Sequence, residues 1–293
     1  MAVEFHLYLP QMRMSMEQIV ERAANAERLG FGGIAFMDHL APPKAAQSPM
    51  FEAMTTATWL AARTERLTVG HLVLCDSFRH PVVLAKQAVT LDHASGGRFE
   101  LGLGWGSVLD EIEAYGIGEA APRVLVARLA ETLEVLRLLW SGEQVSYQGT
   151  YHTLRDVSQQ PTPLGHIPIL IGGTGPRTLE LVAAYADWWN LPIRTLEKLE
   201  QLRPKAGKAR VSLQQMVTLI PSEAERDEIT RTAQRRFGQM AGGSGMVTGN
   251  VSELTAYFRT LADRGIERFY VWFTDFARTP TLEAFSEVIA ALA

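Results

Sequence analysis

IPILIGGTGPRTLELV, running from Ile167 to Val182, is the stretch from which the rest of the chain can be read. Ile167, Ile169, Leu170 and Ile171 form the short apolar run of a strand buried on both faces. The run breaks at Gly172-Gly173-Thr174-Gly175, Pro176 stands where a helix can begin, and Leu179, Leu181, Val182 and Tyr185 continue at helical spacing. A strand, a glycine turn and a helix start bring free backbone N–H groups and the positive end of a helix to one place, a geometry suited to an anion. Glycines let that backbone approach closely, and the Thr174 hydroxyl can add a hydrogen bond. The same residues also suit an ordinary strand-to-helix turn that needs glycine only for positive φ.

The same unit repeats along the chain. Val3–Leu9 reads as the first strand, and Ser15-Met16-Glu17-Gln18 is a capping box opening a helix that Gly30 closes. Further strands are expected at Gly33–Met37, Leu67–Cys75, Arg98–Leu103, the opening stretch, Asp187–Leu191, Val211–Ile220 and Arg268–Phe273. Helical patterns separate them, at Phe51–Thr64, up to Leu91, after Ser222, at Val251–Ala262 and at Leu282–Leu292. The longest excursion, residues 107–166, carries an amphipathic helix (Leu125, Leu129, Leu133, Leu136, Trp140) and a hairpin turning near Gln148-Gly149. Eight strands, each followed by a helix, predict an α/β fold of the (β/α)8 TIM-barrel type, a single domain with an insertion between the fourth and fifth strands. A doubly wound sheet is the alternative, weakened because no G-x-G-x-x-G follows the first strand.

Composition removes several function classes. With 28 basic and 32 acidic residues among 293, the net charge of −4 offers no basic footprint for nucleic acid. No apolar run reaches the ~18 residues of a membrane span, and MAVEFHLYLP lacks the basic start of a secretory signal. Cys75, the only cysteine, permits no internal disulfide and suits a reducing cytoplasm, as a small buried hydrophobe or as a free thiol. H-E-x-x-H, paired-cysteine and G-x-x-x-x-G-K-[ST] patterns are all missing, which removes the zinc-protease and P-loop readings.

In a barrel, polar residues just past the strand ends gather on one catalytic face. Four sets fall there: Asp38-His39, Cys75-Asp76, Gly104–Ser107 and the Gly172–Gly175 loop. His39, of ordinary pKa near ~6.5, can take or give a proton at neutral pH, whereas the alternative is a loop histidine beside a turn-capping Asp38. Asp92-His93 looks similar but falls at a helix end, where a structural role is expected. Trp105, between two glycines, can pack on a flat ligand ring or plug the barrel mouth; Trp188, Trp189 and Trp272 read as core or rim packing.

Together these segments resemble the luciferase-like monooxygenase superfamily, and most of all its branch that uses the deazaflavin coenzyme F420; close relatives use FMN. The matching residues are Glu27–Phe31, Asp38-His39-Leu40, Arg79-His80-Pro81 with Leu84–Gln87, Thr90-Leu91-Asp92, Ser95–Arg98, Leu101–Gly104, Leu136–Trp140, Ile171–Arg177, Tyr185-Ala186-Asp187 and Trp189-Asn190. The resemblance implies a barrel, usually homodimeric, with the cofactor ring at the strand C-termini. By position, Asp38 contacts the ring and His39 stands beside its reacting carbon as proton donor or orienting group. Leu72-Val73 falls where the branch often has a non-proline cis peptide backing the ring, and Cys75 at the end of that strand joins the cofactor-lining set. Trp105, Gly106 and Asp110 line the ribityl chain, and Gly172, Gly173, Thr174 and Gly175 hold the phosphate.

Two positions depart from the branch's sugar-phosphate dehydrogenases. Their glutamate general acid after the fourth-strand glycines is Ser107 here, and Ala41-Pro42-Pro43 replaces a tryptophan beyond the Asp-His pair. The implied activity is therefore hydride transfer between F420 and a small organic substrate other than a sugar phosphate. An FMN-dependent monooxygenase using reduced flavin and oxygen is the alternative, and a flavin-binding protein without chemistry a third reading. A flavin or F420 reductase is a conceivable partner. The residues expected to select the substrate lie at Pro42–Pro49, in the excursion and at Gly242–Gly249.

Overall fold

Short apolar strands that must be buried on both faces leave few architectures, and the computed structural model shows the closed one. It describes residues 3–43, 45–106, 108–119, 121–241 and 245–293. In chain order the strands are β1 (Glu4–Tyr8), β2 (Gly33–Phe36), β3 (Thr68–His71), β4 (Leu74–Cys75), β5 (Phe99–Gly104), β6 (Val145–Gln148), β7 (Thr153–Val157), β8 (Ile169–Gly172), β9 (Trp188–Leu191), β10 (Arg210–Leu219), β11 (Met246–Gly249) and β12 (Arg268–Phe273). The helices are α1 (Met16–Arg28), α2 (Ala53–Ala61), α3 (Pro81–Ser95), α4 (Leu109–Ala114), α5 (Pro122–Trp140), α6 (Pro176–Tyr185), the single turn α7 (Leu199–Leu202), α8 (Arg226–Ala241), α9 (Val251–Asp263) and α10 (Thr279–Leu292).

β1, β2, β3 with its continuation β4, β5, β8, β9, β10 and β12 pair in parallel, and the ring closes through Val211↔Trp189 on one side of β10 and Leu213↔Phe269 on the other. These are the eight strands expected from the sequence. Two differences stand out. The third strand is not continuous, being broken between His71 and Leu74 around a cis Leu72–Val73 peptide. In addition, the last residues of β10 pair with β11, a ninth parallel strand set in the region taken from sequence as a loop. Four residues ending in glycine, paired on one edge only, give too short a pattern to be recognised. The excursion resolves into α4, a hairpin of β6 and β7, and α5, which packs between α3 and α6 as the barrel's own helix.

Side-chain alternation sorts the core into two layers. Phe5, Leu7, Phe269, Val271 and Phe273 point outward to Phe258 of α9 and Phe285 of α10, where the rings meet at 4.8–5.5 Å. Tyr8, Leu170, Trp188, Tyr270 and Trp272 point into the barrel. Helix ends follow local chemistry: Ser15 and Gln18 complete the expected capping box, Asn250 and Glu253 form a second, and Gly96 closes α3 in the left-handed region.

The barrel floor is charged. Buried Arg268 donates to Glu100 at 2.6 Å and Glu4 at 2.8 Å and lies 3.7 Å over the Trp188 ring, while the Tyr270 hydroxyl donates to Glu100 at 2.7 Å. His6 packs edge-on to Tyr270, and burial, followed by the Arg268 charge, pushes its pKa well below the ordinary value. Buried ions are tolerable only when paired, so removing one partner strands the other. Glu100→Gln is expected to destabilise the fold by ~3–5 kcal/mol in urea unfolding; a loss under ~1 kcal/mol would show that Arg268 finds other compensation.

Candidate active site at the C-terminal end of the barrel

The strand ends enclose a cleft of ≈ 330 Å³, of the size used for small-molecule ligands. Met37, Asp38 and His39 line it from β2, Leu72 to Cys75 from the broken third strand, Gly104, Trp105 and Gly106 from β5, Gly172 and Gly173 from β8, Asn190 and Pro192 after β9, and Gln214 from β10.

Glycines make room for the break in the third strand. A Cβ at Gly102 would run into the His71 carbonyl, and one at Gly104 would lie 2.8 Å from Val73 Cγ2. Past β5 the chain turns at Gly106 (φ +101), where a Cβ would meet Cys75 Sγ at 3.1 Å and Ile112 Cδ1 at 3.3 Å. Cys75, Ile112 and Leu125 form a small buried cluster, against which half-buried Trp105 packs while lining the cleft. Burial pushes the Cys75 thiol up to about 11, so it stays protonated and acts as the small hydrophobe of the first reading.

Asp38 is an anchor. One carboxylate oxygen accepts the Cys75 N–H at 2.8 Å, and the Arg79 guanidinium grips both oxygens. Arg79 reaches on to Glu52 at 2.7 Å, and Glu52 also caps α2 through the N–H groups of Met54 and Thr55. Burial works against the charge on Arg79, but the hydrogen bonds and charges of Asp38 and Glu52 outweigh it and hold its pKa above the ordinary value. At Glu52, burial is likewise overcome by the N–H groups of Thr55 and Met54 and by Arg79, and its pKa falls to about 2. His71, buried nearby, is lowered to about 4 chiefly by burial and stays neutral. Both oxygens of Asp38 are thus engaged within the network.

His39, the neighbour of Asp38, is held by a different carboxylate. Its Nδ1 lies 2.8 Å from Glu111 Oε2, while Oε1 of the same carboxylate accepts the N–H groups of Leu40 (2.6 Å) and Ala41 (3.2 Å). Nε2 has no hydrogen-bond partner among the described residues. Sequence reasoning missed Glu111 and selected its neighbour. Asp110 is exposed on α4 and does not reach the cleft, because Ile112 faces the buried cluster and the helix rotation then turns 111 inward and 110 to solvent. The apolar pair Leu109/Ile112 was the available signal for which way this segment faces, whereas the resemblance had singled out Asp110. Arg79 and Asn190 were noted only as parts of motifs. Ser107 lies outside the described residues.

The glycine loop is divided. Gly173 (φ +124) donates its N–H to the Asn190 carbonyl and its own carbonyl accepts Trp189 Nε1 at 2.8 Å. Thr174 and Gly175 stand beyond the cleft lining, half-buried and exposed, and Gly175 starts α6 without a side-chain cap. Of the tryptophans, Trp189 is fully buried, and Trp188 and Trp272 fill the barrel, as packing residues should. Asp92 accepts the Leu164 N–H and His93 meets the Thr162 carbonyl, both in structural roles.

The structure is thus a parallel eight-stranded barrel whose strand-end cleft holds a carboxylate-bound histidine between glycine-walled strand ends. A profile of the luciferase-like monooxygenase family matches residues 3–237, and the chain belongs to that family. Over 171 residues it is 34% identical to the F420-dependent glucose-6-phosphate dehydrogenase of Microbacterium testaceum (strain StLB037), a match covering 58% of this chain and 51% of the relative. The chain thus spans about half the length of the curated relatives it matches. Among solved structures, an F420-dependent secondary alcohol dehydrogenase in complex with an F420–acetone adduct superimposes with a TM-score of 0.85 at 20% identity, with both chains fully covered. The coenzyme F420-dependent tetrahydromethanopterin reductase of Methanopyrus kandleri gives 0.81 at 18%, again with full coverage of both. At such identities the likeness shows the fold.

Glu52 provides a test of the anchor. With its folded pKa near 2 against an ordinary 4.5, its ionised form adds stability above about 4.5 that is lost as pH falls towards 2. Glu52→Gln should therefore unfold at lower urea than wild type at neutral pH, with the gap closing on acidification. A gap that stays constant with pH would mean that the carboxylate charge is not what holds Arg79.

Proposed function

We propose that this chain is an oxidoreductase that binds coenzyme F420 in the cleft and transfers a hydride between it and a small uncharged substrate. The observation that carries the reading is one cleft holding both His39, whose Nε2 has no partner among the described residues, and two glycine-lined strand ends, Gly104–Gly106 and Gly172–Gly173. The F420-dependent relatives at 34% identity support the choice of cofactor.

The residues present fit that cofactor. Gly172 has no side chain, and even a Cβ there would meet nothing nearer than 3.8 Å, so the wall stays open to a bulky ligand. Leu72, Val73 and Cys75 would back the ring, Trp105 and Gly106 its side chain, and the uncapped start of α6 with Gly172–Gly175 its phosphate. Bound there, F420 supplies a ring carbon that accepts or gives a hydride. Asp38, held by Arg79, fixes the loop that presents His39, and His39 exchanges the accompanying proton with the substrate oxygen.

The substrate class follows from charge. No lysine or arginine stands among the described residues lining the cleft, and its carboxylates are satisfied by Arg79, His39 and backbone N–H groups. Among the described lining residues a sugar phosphate dianion meets no cation, whereas Asn190, Gln214 and His39 suit a neutral alcohol or carbonyl compound. Exposed Leu40, Phe51 and Val83 around a second cleft next to His39 are consistent with a homodimer.

The family also contains monooxygenases, so an FMN-dependent reaction is the competing reading. Equilibrium titration with F420 and with FMN separates them, followed by turnover with neutral secondary alcohols and with glucose 6-phosphate. Micromolar F420 binding and turnover of the neutral alcohols are expected; tight binding of FMN alone would overturn the proposal.

A further inference from the structure

Glu111 uses every face of its carboxylate. It is nearly buried, with a side-chain exposure of 9%, and bridges α4 to the end of β2 through one side-chain donor and two backbone donors. Ile112 pins the same helix into the Cys75–Leu125 cluster, so the carboxylate is held from behind as well as in front. The other charged groups around His39 are committed elsewhere: Asp38 to Arg79 and the Cys75 N–H, Glu52 to Arg79 and the start of α2, His80 to the Val82 N–H. The Cys75 thiol stays protonated.

We infer that Glu111 is the positioning residue for His39, fixing its tautomer and so deciding which ring nitrogen meets the substrate. This rests on the F420-oxidoreductase reading. A carboxylate accepts only, so in neutral imidazole the proton sits on Nδ1 and Nε2 keeps its lone pair. In alcohol oxidation a bound deazaflavin would take the hydride, the substrate C–H bond breaking with its electron pair and a C–H bond forming on the ring. The substrate O–H bond breaks too, and its proton forms an N–H bond at His39 Nε2. The imidazolium so formed faces the Glu111 carboxylate, which stabilises it without itself becoming protonated. In the reverse direction the same imidazolium returns the proton to the carbonyl oxygen. The backbone N–H groups of Leu40 and Ala41 keep the carboxylate from rotating out of register.

Glu111→Gln gives a sharp test. Leu40 and Ala41 N–H hold the oxygen of the new amide, so its NH2 is turned to Nδ1, which must then accept and drive the proton to Nε2. Two-bond 15N–1H correlation spectra of cofactor-free, 15N-histidine-labelled protein read the tautomer directly, with His39→Ala assigning the ring. Wild type should show Nδ1–H and Glu111→Gln should show Nε2–H. In turnover with F420 the variant should lose ~10²–10⁴-fold in kcat, with KM and cofactor affinity nearly unchanged. An Nε2–H tautomer in the wild type, or a variant that keeps both the wild-type tautomer and kcat, would overturn the inference. A protein that fails to bind F420 would sink the cofactor reading instead, leaving the tautomer result to stand on its own.

Discussion

The grip of Arg79 on Asp38 is the contact on which the upper half of the barrel depends. Both groups are largely removed from water, and a buried pair is sustained only when geometry and further hydrogen bonds satisfy its remaining valences. Those conditions are met: the guanidinium engages both carboxylate oxygens, Cys75 supplies a backbone donor, and Glu52 takes the remaining reach of Arg79. Four segments are fixed by this one network, namely the ends of β2 and β4 and the starts of α2 and α3. His39, one residue beyond Asp38, inherits its position.

Charge is used differently at the two ends of the barrel. At the floor, Arg268, Glu100, Glu4 and Tyr270 satisfy one another and close the interior, a stabilising plug far from the cleft. At the top, Asp38 and Glu111 are tied to a guanidinium, an imidazole and backbone N–H groups, and His39 Nε2 has no hydrogen-bond partner among the described residues. The division suits a barrel in which chemistry belongs to the C-terminal strand ends and stability to the other face. Glycine completes it, since Gly102 and Gly104 are where the backbone of the broken third strand must fit against β5.

Much of this was legible in the sequence. Apolar runs such as Phe99–Leu103 and Arg268–Phe273 mark buried strands because a barrel strand is covered on both faces, and their order gives the barrel. Asp38-His39 at a strand end marks the face that carries the cleft. What stayed hidden depends on contacts between distant segments. Nothing near Asp38 in sequence says that its carboxylate belongs to Arg79, 41 residues away, or that His39 will meet Glu111, 72 residues away. Asp110 and Glu111 differ only by the rotation of a short helix, and that rotation is decided by Ile112 finding Cys75. The glycine loop was legible as a turn, but its split between cleft-lining Gly172–Gly173 and the outlying Thr174-Gly175 follows from how β8 and β9 meet.

The central claim is that one cleft seats the cofactor between His39 and the glycine loop. A crystal structure of the protein with F420 bound tests it most directly. The account predicts the deazaflavin ring against Leu72–Val73 with His39 at its reacting edge, and the cofactor phosphate on the Gly172–Gly175 backbone at the start of α6. A phosphate bound elsewhere, or a ring seated in the second cleft on the Phe51 and Val83 side of His39, would contradict it.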